Sequence, residues 1–134
     1  MSDTPTPKNY TLLIRLEGLP LMSNQLLRGH WRKKHGHALK WKLAVSLASH
    51  MKRPRDPLER ATLTLTRCSS MRPDHDGLVS GFKSVIDGLV ECGVLANDKF
   101  ENIGVPVYLW AKAPLRKGHV LIEVLEVTTN EGVK

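Results

Sequence analysis

Cysteine is scarce in this chain. Cys68 and Cys92 are the only two among 134 residues, and they form no Cys-x-x-Cys pair. That excludes a disulfide framework and reads as two reduced thiols in a cytoplasmic protein. Long hydrophobic runs are missing as well: none approaches the ~18 residues of a membrane span. Residues 1–8 are polar and proline-rich and lack the apolar stretch of a signal peptide, so residues 1–9 are expected to form a mobile tail. Residues 129–134 are expected to form a second tail. There is no internal repeat, and no low-complexity segment beyond the N-terminal tail.

The most telling absence is of negative charge. No Asp or Glu falls between Glu17 and Asp56, while that stretch holds nine Lys or Arg on a chain of formal net charge +7. They are Arg28, Arg32, Lys33, Lys34, Lys40, Lys42, Lys52, Arg53 and Arg55. Positive charge without internal partners points to an external polyanion, nucleic acid first; a merely solvated basic face is the alternative. Arg28, Arg32, Lys33, Lys34, Lys40 and Lys42 are the residues expected to meet DNA phosphates.

What is present fits one domain over residues 10–128, large enough to bury a core without a covalent staple. Residues 10–17 alternate apolar and polar, which predicts a strand. Residues 31–53 turn to a helical period. Trp41, Leu43, Ala44, Val45, Leu47, Ala48 and Met51 supply its apolar face, and Lys42, Ser46, Ser49, His50 and Arg53 its polar one. Pro54 and Pro57 stop it. Residues 61–67 alternate Leu with Thr and predict a second strand. A second helix is predicted over 75–92, with Leu78, Phe82, Val85, Ile86 and Leu89 as its core stripe and Gly93 as its stop. Strands over 104–113 and 119–127 follow, joined by an expected hairpin turn at 114–118. The order β-α-β-α-β-β is an α+β domain: two main helices on one small mixed sheet.

The acidic residues gather around the second helix. Asp74 and Asp76 lie two apart on an extended approach, which turns both carboxylates to one side. Two close carboxylates repel, and a hard divalent cation relieves that conflict. Asp just before a helix is equally an N-cap, worth ~1 kcal/mol. Seven residues is nearly two helical turns, so Asp76 and Lys83 stand about 20° apart in azimuth, with Asp87 on the same edge. Lys83 and Asp87 are also spaced as an ordinary i, i+4 pair. Asp98 comes from the loop after the helix and could complete the cluster. Gly77, Gly81, Ser84 and Gly88 form a stripe of small residues, expected to meet either the sheet or the same helix of a second subunit.

Asp74-His75-Asp76-Gly77-Leu78, Lys83-x-x-x-Asp87-Gly88-Leu89, Gly93 and Asn97-Asp98 together resemble the RusA-type Holliday junction resolvases. The motif likeness covers about residues 63–103. These are small Mg²⁺-dependent endonucleases of phages and prophages, acting in DNA recombination and repair. The family pattern is Asp-x-Asp-Asn-Leu, a lysine, Asp-Ala-Leu, Gly and an Asp-Asp pair. Gly77 stands where the family has Asn, and Asn97 replaces the first Asp of the pair. Lys83 lies three residues further on than in the shortest family pattern. The resemblance implies a RusA-like fold and a homodimer that resolves four-way junctions by paired phosphodiester hydrolysis in the bacterial cytoplasm. It implies Asp74, Asp76 and Asp98 as catalytic metal ligands and Lys83 as the catalytic lysine. Mg²⁺ is the implied cofactor, with Mn²⁺ a substitute.

Two other readings remain: a basic junction- or duplex-binding protein without catalysis, and a broader flap or branched-DNA nuclease. His30, His35 and His37 near Trp31 have no cysteine beside them to finish a zinc site and read as basic surface. Trp41 falls on an apolar face and reads as core; Trp31 could stack on a base. Ser69 and Ser70 near His75 define no nucleophile triad.

Overall fold

A computed structural model describes residues 10–21 and 31–127, with backbone alone for residues 31–34. Both expected tails lie outside the described residues, as do residues 22–30. Four strands form one mixed sheet: β1 (Thr11–Glu17), β2 (Ala61–Ser69), β3 (Val107–Lys112) and β4 (His119–Glu126), in the order β1-β4-β2-β3. β4 pairs antiparallel with β1 and with β2, while β2 and β3 run parallel. Alternation puts one face inside. Leu12, Ile14 and Leu16 of β1, Val120, Ile122 and Val124 of β4, and Leu63 and Leu65 of β2 are all buried. The other face carries exposed residues such as Leu13 and Leu109.

Residues 114–118 are not a hairpin turn. β3 joins the sheet at its edge beside β2, and β4 lies on the other side of β2. The link from Lys112 to His119 therefore steps over the end of β2. That span is about two strand spacings, roughly 10 Å. Parallel β2 and β3 finish at one end, and antiparallel β4 starts there, so a short link suffices. Ala113 N–H donating to Ser69 O at 3.0 Å marks the step.

The helices are α1 (Trp31–Ser49), α2 (His75–Gly81), α3 (Lys83–Glu91) and the short α4 (Phe100–Ile103). α1 ends at Ser49, four residues before the expected stop, because Pro54 disfavours helix in the residue ahead of it and Lys52 N–H closes a tight turn on Ser49 O at 2.9 Å. Its buried edge is Trp41, Val45 and Ser49. Ser49 tolerates full burial because its hydroxyl donates to Val45 O at 2.8 Å. Leu43 and Leu47, expected on the apolar face, lie exposed, the latter at 68%. They sit about 200° and about 240° round from Trp41, a larger arc than one core-facing edge spans.

The second predicted helix is two. It breaks at Phe82, whose N–H turns back to Val79 O at 3.2 Å. The ring of Phe82 is 1% exposed, so its anchoring in the core sets the kink. α3 ends as expected at Gly93, with φ 91°. Val94 N–H reaches Leu89 O at 3.0 Å and Gly93 N–H reaches Val90 O at 3.2 Å, the paired bonds of a left-handed helix end.

Candidate functional site

β2 delivers the first acidic residues. The chain leaves Ser69, passes Arg72 and Pro73, and enters α2 with Asp74 as N-cap. Asp74 Oδ1 accepts Gly77 N–H at 2.8 Å. The capping role weighed for this residue is thus real, and it occupies one carboxylate oxygen. Asp76 lies in the first turn of α2, exposed.

α3 presents Lys83 and Asp87 one turn apart, with Nζ to Oδ2 at 3.8 Å. At that length the pair is loose, and Lys83 is 77% exposed. The loop after α3 is anchored by a short bridge: Leu58 N–H donates to Val94 O and Ala96 N–H to Leu58 O, each at 2.9 Å. Asn97 Oδ1 then accepts Asp98 N–H at 2.7 Å. This placement brings Asp98 to the same cleft as Lys83 and Asp87. Ser80, Ile103 and Tyr108 line it too, and its volume is about 290 Å³. Burial raises the Tyr108 phenol above its usual range, which keeps it protonated.

Lys83 and Asp98 are brought together; Asp74 and Asp76 do not line that cleft. Among the described residues no three His, Cys, Asp or Glu side chains are grouped to hold a metal ion. Asp74, Asp76 and Asp98 are thus not grouped as a preformed three-carboxylate site among the described residues. Asp76 and Lys83 do not share one straight helix, because Phe82 interrupts the run between them.

The small-residue stripe is used inside the chain. Gly77, Gly81 and Gly88 are buried. A Cβ on Gly88 would come within 3.1 Å of Lys42 Cα, so the partner of that glycine is α1.

Of the residues expected to meet DNA, Arg28 lies outside the described residues, as do the side chains of Arg32, Lys33 and Lys34. Lys40 is exposed. Lys42 is tied to Glu91, with Nζ to Oε2 at 2.7 Å. His37 is part of the packing rather than a ligand: its Nε2 accepts Leu21 N–H at 2.9 Å. Desolvation, with Lys40 nearby, holds it below the ordinary histidine value.

Sequence reasoning missed two features at the end of β2. Arg67 is only 7% exposed, and its Nη1 donates to Pro20 O at 2.8 Å. Burial lowers its pKa from the usual arginine value. Trp110 of β3 sits under Arg72, whose guanidinium carbon is 6.0 Å from the ring centroid. A charged residue at an inward position of an alternating strand was the available signal for Arg67. Nothing local marked Trp110, because its neighbours, Ser69 of β2 and Arg72 of the segment after it, lie far from it in the chain.

No known protein-family model matches the chain, and no curated protein matches it. No helix among the described residues is long and apolar enough to cross a membrane.

Proposed function

We propose that this protein is an endonuclease of branched DNA, similar in type to the RusA resolvases, hydrolysing phosphodiesters at four-way junctions in recombination and repair. One observation carries the reading: Lys83, Asp87 and Asp98 line a single open cleft, on a protein with no acidic residue between Glu17 and Asp56. An ammonium beside carboxylates can grip a phosphodiester oxygen and offset the charge that grows there as the bond breaks. Lys83 is free to do this because its contact with Asp87 is loose. Asp98 can orient a water and accept its proton. The resemblance adds Mg²⁺, or Mn²⁺ in its place, on Asp74, Asp76 and Asp98. Since no three such carboxylates are grouped among the described residues, no step is assigned to the cation. A homodimer with two-fold symmetry suits two symmetric nicks.

The test uses a labelled synthetic four-way junction with Mg²⁺, repeated with EDTA and with Asp98→Asn. Paired nicks that vanish in both controls support the reading; intact junction throughout overturns it. The ungrouped carboxylates favour a second reading, a basic junction- or duplex-binding protein without catalysis. Tight binding with no metal-dependent nicking would select it. Cleaving flaps as readily as junctions would select the broader nuclease.

A further inference from the structure

We infer that Trp110, with Arg72 above it, is a stacking platform for an unpaired base of branched DNA. This rests on the DNA reading above and specifies which feature of the DNA is recognised. Trp110 lies on β3, the edge strand, in register with Arg67 of β2. Its ring is held in place: Nε1–H donates to Ser69 Oγ at 2.9 Å, and Ser69 Oγ–H donates to Met71 O at 2.7 Å. These bonds join the ring to the loop that continues through Pro73 into Asp74 and Asp76. Arg72, on that loop, is thereby two residues before Asp74 and four before Asp76.

A structural role alone leaves the ring's surroundings unexplained. Trp110 is half-buried, and its covering side chain is an exposed arginine that makes no ion pair among the described residues. At 6.0 Å from the centroid, Arg72 is at the outer limit of a cation–π contact. It is readily displaced, and a base would stack more closely than the guanidinium does. The displaced Arg72 would then reach the phosphate of the same nucleotide, where its fork pairs with two oxygens. Trp41 offers no such access, being 3% exposed in the core. A π-face accepts any base, so the platform reads an unpaired base rather than a sequence. A fully paired duplex presents none, whereas a four-way junction presents one when the pairs at its crossover open.

The experiment reads tryptophan emission in the Trp31→Phe protein, which retains Trp41 and Trp110, with EDTA present to prevent cleavage. A four-way junction should quench the emission and a paired duplex of equal length should not. Adding Trp110→Leu should abolish the quench and weaken junction binding ~10-fold, with duplex binding changed less than ~2-fold. Unchanged emission at saturating junction would overturn the platform, as would equal losses on junction and duplex; either result leaves the DNA reading intact. If neither DNA binds, the DNA reading fails and the platform with it. The quench in the Trp31→Phe protein needs no change at Trp110, so it decides the matter even if Trp110→Leu does not fold.

Discussion

Lys42 and Gly88 meet backbone to backbone: a Cβ on Gly88 would lie 3.1 Å from Lys42 Cα and 3.2 Å from Val45 Cβ. α1 and α3 approach this closely because no side chain stands between them at that point. The Lys42–Glu91 ion pair fastens the same two helices. The contact seats α3, the helix that carries Lys83, against α1.

Gly88→Val should destabilise the fold by about 1–3 kcal/mol, since the added branches must push two helices apart. Urea unfolding checks this. Gly88→Ala should cost less, because its helix-propensity gain of up to ~1 kcal/mol offsets part of the crowding. Equal stability of the valine variant and wild type would mean the helices do not touch there.

Asp98→Asn should abolish junction cleavage while retaining or strengthening junction binding, because it removes the carboxylate proposed to accept the water's proton and a negative charge beside phosphate in the cleft. Gel-shift and cleavage assays on one preparation check both. A folded variant that no longer binds would contradict this separation of grip from chemistry.

Lys33→Ala with Lys34→Ala should flatten the salt dependence of DNA binding by up to ~2 units of log–log slope. Lys42→Ala should change it by less than ~1 unit, because Glu91 already holds that ammonium at 2.7 Å. Binding titrations across a salt series compare them. A larger effect from Lys42 would place the DNA on the α1–α3 seam.

His37 should make the fold less stable in mild acid. Its folded pKa is lowered, so the unfolded chain takes up a proton before the native one does. The stability it contributes is complete above the ordinary histidine value of about 6.5. It is lost as pH falls from there through the lowered folded value. Urea midpoints at about pH 8 and about pH 5.5 should differ more for wild type than for His37→Gln, whose amide oxygen can still accept Leu21 N–H. Identical differences would show that another group causes the acid sensitivity.

Alternation along 10–17 and 61–67, the break at Gly93 and the apolar stripe from Leu78 to Leu89 are local properties, and the elements follow them. Strand and helix periods depend on neighbours within a few residues, so composition and spacing alone determined an α+β domain with a mixed sheet. Partner choice is not local. That β4 enters between β1 and β2, that Phe82 kinks the second helix and that Leu43 and Leu47 face outward were decided by how the elements pack. Likewise the motif named which residues are candidates for chemistry. Only the tertiary structure decided that Lys83 shares a cleft with Asp98, and that Asp74 caps a helix outside it. The physical reason is that a carboxylate's role depends on the side chains and backbone donors it meets in space, and those arrive from elements far apart in the chain.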